Sequence, residues 1–168
     1  MTLQTVRRMV PLAAALALPY IALKSYWAAG GRAGLADGYQ LEDDFTRNGA
    51  PTPLVWLEHH GIDFTAVLAL TGVAIALTVA LHPPVSRLPR RLLLVPAWAG
   101  APLIVYGLLT ALLAPFDHSP GAGPITGWIV PAGAAAFVGI GTALTLGAWP
   151  HRASRPTATA RRSPGMPG

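Results

Sequence analysis

The sequence predicts an all-α polytopic membrane protein, a four-transmembrane-helix up-and-down bundle. Three observations predict it. Over half of the 168 residues are hydrophobic and only 11% are charged, less than half the charged share of ordinary soluble domains, about 25%. A soluble domain this small cannot hide that much apolar surface, so lipid is the solvent that suits it. Four long apolar runs, 9–29, 64–81, 92–116 and 125–150, divide the chain, and a helix needs about 20 residues to cross a hydrocarbon core of about 30 Å. The basic residues flank these runs in alternation. Strands do not suit the pattern: hydrophobicity does not alternate, and four pieces cannot close a barrel.

Charge sets the expected orientation. Arg7 and Arg8 precede the first run, Arg87, Arg90 and Arg91 lie between the second and third, and Arg152, Arg155, Arg161 and Arg162 follow the fourth. These are nine of the twelve basic residues. The other two connecting segments hold only Arg32 and Arg47, together with all seven acids: Asp37, Glu42, Asp43, Asp44, Glu58, Asp63 and Asp117. Short Arg-rich loops stay cytoplasmic. Both termini are therefore expected inside, and both acidic segments outside, a cell inner (plasma) membrane. This topology also accounts for a pI near 10.5 without nucleic acid.

The expected helices are 9–29, 62–82, 92–114 and 126–149, within one membrane domain of residues 1–150. The first reads as an uncleaved span: it is long, it carries a lysine late, and Trp27 stands where signal cleavage after Ala29 would want a small residue. Residues 151–168 lack apolar periodicity, are rich in Pro, Ser, Thr and Arg, and read as a disordered basic cytoplasmic tail facing anionic lipid.

Helix association in lipid relies on close packing. Gly72, Ala76 and Ala80 form one stripe, and Ala135, Gly139, Ala143 and Gly147 another; the third run has Ala97 and Ala101, then Gly107 and Ala111. Pro19, Pro102 and Pro131 are deep enough in their runs to free carbonyls and bend helices. Trp27, Trp56, Trp128 and Trp149 lie near the expected interfaces and suit an aromatic belt.

At Lys24, Trp27 and the segment RLPRRLLLVPAWAG the chain resembles small four-helix integral membrane proteins of actinobacteria. There a Lys-x-x-Trp pair ends the first helix, and an Arg-x-Pro-Arg segment opens a third helix containing Pro-Ala-Trp. Lys24, Trp27, Arg87, Pro89, Arg90, Pro96, Ala97 and Trp98 match; Arg91 departs, since an aromatic often stands there. The resemblance implies the four-helix fold and carries no assigned activity.

Two polar constellations remain. Lys24 is the only charge in the first run. It lies on one face with Tyr20 and Trp27, at spacings of four and three. A helical stem leans toward its N-terminus, so a carboxylate at the outer mouth is a better partner than water. Asp63, at the start of the second span, is the first candidate for an intramembrane ion pair, and Asp117 the second. The segment EHHGID gathers Glu58, His59 and His60, with Asp117 and His118 as candidates for the opposite side, in a polar cluster expected at the outer mouth. His and carboxylate suit zinc or nickel, but adjacent histidines diverge on a helix, and capping of the second span is the simpler role. With no cysteine, disulfides, thiol nucleophiles and Cys-held metals are excluded. No catalytic motif or cofactor fingerprint is present. The expected function is therefore a structural or accessory membrane protein, not an enzyme. Its expected partner is the lipid bilayer, with a membrane-protein partner or a second copy as the further option. The alternatives are a small transporter or channel-like protein using Lys24 and Asp63, and an external metal-binding or metal-dependent enzyme.

Overall fold

The computed structural model describes residues 2–35, 46, 49–81, 90–113, 116 and 128–149, with residues 90–94 described by backbone alone. The described residues are helical: α1 (Leu3–Ala15), α2 (Leu18–Ala28), α3 (Thr52–His59), α4 (Phe64–Leu81), α5 (Arg90–Leu113) and α6 (Ile129–Ala148). Four stretches are long and apolar enough to cross a membrane: Leu3–Ala28, Phe64–Leu81, Val95–Leu113 and Ile129–Ala148.

The first stretch begins six residues before its apolar run. Thr2 caps it, its hydroxyl accepting from the Thr5 N–H at 3.2 Å, and Arg7 and Arg8 ride exposed on the first turns. The stretch breaks at Leu16–Ala17. There the helix tightens, with Leu16 N–H donating to the Ala13 carbonyl at 3.2 Å and Ala17 N–H to the Ala14 carbonyl at 3.0 Å. Pro19 explains the position: it has no N–H to give Ala15, and its ring crowds that carbonyl. Pro102 instead lies within a continuous α5. Pro131 occupies the first turn of α6, where a backbone N–H has no helical partner anyway, so it has nothing to break. The short α3 was not expected from the apolar runs.

Four helices, α1, α2, α4 and α5, pack on α6, while α4 and α5 scarcely touch. Gly139 faces Ala13 of α1, and Gly133 faces the Tyr20 ring of α2. Gly72 of α4 lies against Ile140, and Gly147 against Ala76. Gly100 of α5 lies against Gly141 and Thr145, and Gly107 against Ala134. These pairings make α6 antiparallel to the first stretch and to α5, and parallel to α4.

Small residues permit this sharing. A Cβ on Gly141 would come within 2.5 Å of the Gly100 carbonyl oxygen, and one on Gly139 within 2.5 Å of the Ala13 carbonyl oxygen. Ala76 and Ala143 are fully buried, and they join Val6, Val10, Ile21, Ile140 and Leu144 in the main core. The stripes of α4 and α6 thus mark real contact lines. The line on α5 differs from the expected one: Ala101 and Ala111 are exposed, and the contact runs through Ala97, Gly100 and Gly107. That spacing of three and seven follows the helix surface better than a strict four.

Substituting Gly141 with Ala is expected to destabilise the protein in detergent by about 1–3 kcal/mol, the usual cost of overpacking a tight contact. Gly133→Ala, whose new Cβ would sit 3.7 Å from the Tyr20 ring, should be close to neutral. Equal losses of thermal stability in the two variants would contradict backbone approach as the cause.

Candidate functional site: a buried ion pair at a helix start

Two tight helix ends build the site. α2 ends in the sequence AAGG. Gly30 adopts φ +91°, its N–H donates to the Trp27 carbonyl, and the Gly31 N–H donates to the Tyr26 carbonyl, each at 2.9 Å. α3 ends the same way in HHGI: Gly61 has φ +74°, its N–H reaches the Glu58 carbonyl, and the Ile62 N–H reaches the Leu57 carbonyl, each at 3.0 Å. This is the Schellman arrangement, which glycine permits because no Cβ opposes the left-handed conformation. Gly61 lies against the Ala28 carbonyl, so one helix end is set directly on the other.

That corner delivers Asp63 to the start of α4. Asp63 Oδ1 accepts from the Ala66 N–H at 2.8 Å and from the Thr65 hydroxyl, and the Asp63 carbonyl accepts from the Val67 N–H at 3.1 Å. Asp63 is thus the N-cap. Glu58 adds a second cap, its Oε1 accepting from the Phe64 N–H at 3.2 Å. Both carboxylates are buried and sit where the helix dipole favours negative charge.

Lys24 completes the site. Its Nζ lies 2.8 Å from Asp63 Oδ2, with side-chain exposures of 8% and 1%. The two charges thus meet directly in the interior. The ammonium also lies 5.4 Å from the Trp27 ring centroid, within cation–π range. Trp27 itself is buried, its indole N–H donating to the Ala33 carbonyl at 2.9 Å. It packs with Leu23, Ile129 and Leu35, under the turn that carries Ala33. Trp27 is therefore a packing residue of the site and not part of an interfacial belt. On the other side, the Tyr20 hydroxyl donates to Thr65 Oγ at 3.3 Å, so a hydroxyl chain runs from Tyr20 through Thr65 to Asp63. It stops at an aromatic cluster, in which Tyr20 and Tyr106 both meet the Phe137 ring.

The expected pairing of Lys24 with Asp63 is present. The EHH cluster divides instead of converging: Glu58 turns inward, while His59 and His60 are exposed. His60 stacks on Trp56 with centroids 4.0 Å apart, and its Nδ1 donates to the Trp56 carbonyl at 2.8 Å. Among the described residues no three His, Asp or Glu side chains group to hold a metal ion. Asp117, His118 and the basic tail 151–168 lie outside the described residues. Sequence reading placed Asp63 correctly but missed the roles of Thr65 and Tyr20, although Asp-Phe-Thr-Ala at a span start carries the N-cap signal. No family model, curated protein or solved structure matches the chain.

Lys24→Met strands a buried carboxylate and is expected to cost about 3–5 kcal/mol. Adding Asp63→Asn, which removes the charge and keeps a cap acceptor, should recover most of that loss. Chemical or thermal unfolding in detergent of the wild type, both single variants and the double measures the coupling. Simple additivity would mean that the two groups do not interact.

Proposed function

We propose that the chain is a multi-pass integral protein of the cell inner membrane, with both termini cytoplasmic and a structural or accessory role within a larger membrane assembly. We place it with the actinobacterial four-helix proteins that it resembles. Four apolar helices of spanning length support membrane insertion, and tryptophan placement supports the boundaries. Trp56 and Trp128 are exposed at one end, and Trp98 and Trp149 at the other. The 21 residues from Trp128 to Trp149 rise about 31 Å along α6, which matches a hydrocarbon core of about 30 Å. The arginine distribution favours the Trp149 end as cytoplasmic.

One observation carries the structural reading: the polar atoms of Asp63 are committed to holding helices together. Oδ1 caps α4, and Oδ2 faces Lys24. A charge retained for packing in this way requires no substrate. The protein then acts through what it binds, a partner membrane protein or a second copy, and not through chemistry of its own.

Phosphatase and fluorescent-protein fusions at Gly49 and after residue 168 test the topology. The phosphatase should be active only at Gly49, and the fluorescent protein bright only at the tail; an active tail phosphatase overturns the orientation. Crosslinking in the native membrane followed by pull-down should recover a discrete membrane partner or a dimer. Solute flux in proteoliposomes that disappears with Lys24→Met would replace the accessory reading with a transporter.

A further inference from the structure

We propose that α2 is a latched half-helix, hinged at Leu16–Ala17 and held against α4 by the Lys24–Asp63 pair. The hinge is visible in the backbone. Hydrogen bonding tightens at Leu16 and Ala17, and Pro19 denies Ala15 its bond. The break lies opposite Gly139, midway along α6: Ala13 and Leu16 are the atoms that a Cβ on Gly139 would strike. The glycine thus leaves the jointed segment room at the depth where it bends.

The two sides of the joint are held differently. α1 below it is set by apolar burial, with Val6, Val10 and Ala14 inside the main core. Beyond Ile21, α2 leaves that core. Leu23 and Trp27 belong to a separate small cluster with Ile129 and Leu35. Besides the apolar core that Ile21 shares with Ala69, two polar ties join α2 to α4: Tyr20 to Thr65 at 3.3 Å and Lys24 to Asp63 at 2.8 Å. The attraction within a buried ion pair falls off as the charges separate and is not replaced by water in the interior. The pair therefore fixes the closed position of the half-helix. Opening would expose Tyr20 on α2 together with Thr65 and Asp63 at the start of α4, along the seam where the two helices now meet. An 11-residue lever is about 16 Å long, so a swing of about 15° moves its tip by about 4 Å.

The chain has no cysteine, so spin labels can be placed without background. One label pair, Ser25→Cys with Leu112→Cys, reports the tip of α2 against α5. A second, Gln4→Cys with Ala99→Cys, reports α1 against the other end of α5. All four positions are exposed. Electron–electron distance distributions are recorded in nanodiscs for the otherwise native chain and for Lys24→Met/Asp63→Asn, which neutralises both partners together. The α2 distribution is expected to broaden roughly twofold or shift by about 4 Å, with the α1 pair unchanged. Adding Pro19→Ala, which restores a donor to Ala15, should narrow it again. Broadening of both pairs, or of neither, overturns the proposal, as does broadening that Pro19→Ala leaves intact. If the neutral double variant does not fold, amide exchange of the native protein decides. Residues 18–28 should exchange faster than residues 6–14, and equal protection overturns the hinge.

Discussion

Gly139, Gly141 and Gly147 let three separate backbones come within close contact of α6, and the rest of the arrangement depends on that access. In lipid, apolar side chains gain nothing by leaving solvent for one another, so helices associate through short-range packing and buried polar contacts. A helix with bulky residues on every face would hold its neighbours at the usual 8–10 Å. Glycine and alanine on several faces of α6 let α1, α4 and α5 share it. Where α6 is wide, at Phe137, the neighbour is narrow, because Gly107 meets its Cβ. The consequence is asymmetry. α6 is the most enclosed of the four stretches, and α5, which meets little else, is the least.

The charged site obeys a second constraint. A helix start has four N–H groups without helical partners, and where the start is buried they must find partners within the protein. Asp63 and Glu58 meet two of them at α4. Burying those carboxylates introduces negative charge, and Lys24 offsets it at 2.8 Å from Asp63. The lysine is therefore best understood from the cap outward. A buried charge is costly when unpaired, and here that cost is avoided because the cap it faces would otherwise be costly too. The Schellman ends at Gly30 and Gly61 supply the short turns that bring the groups together.

Much of this was legible in the sequence. Length and hydropathy located the four stretches, and a lone lysine facing the first acid of the next span identified the ion pair. Stripes at Gly72 and Gly139 marked true contact lines, because a Cβ at either position would strike the facing helix. The misses share a cause: a one-dimensional pattern does not say which neighbour a face meets. Trp27 looked interfacial by depth, yet a turn folds back over it and accepts its indole N–H. Ala101 fitted a spacing of four, but the line of closest approach on α5 passes through Gly100. Pro19 and Pro131 looked equivalent until the helix start at Ile129 put one of them in a first turn, where proline breaks nothing.

The placement of α6 bears on function as strongly as the ion pair does. A bundle that conducts or transports needs an axis that its helices can surround and hydrate. Here a helix occupies the middle position, and its contacts with α1 and α5 run backbone to backbone through Gly139 and Gly141. A solvated path within one copy would have to follow an outer groove or displace α6. The hydroxyl chain from Asp63 passes Thr65 and Tyr20 and reaches the Phe137 ring, which Tyr106 meets from its other neighbour α5. The buried charges Lys24, Glu58 and Asp63 thus gather at one end of the molecule, while Gly and Ala line the close contacts of α6. That division leaves broad apolar faces of α4 and α5 exposed, among them Val67, Leu68, Leu70, Leu108 and Leu112, which the proposed membrane setting would cover.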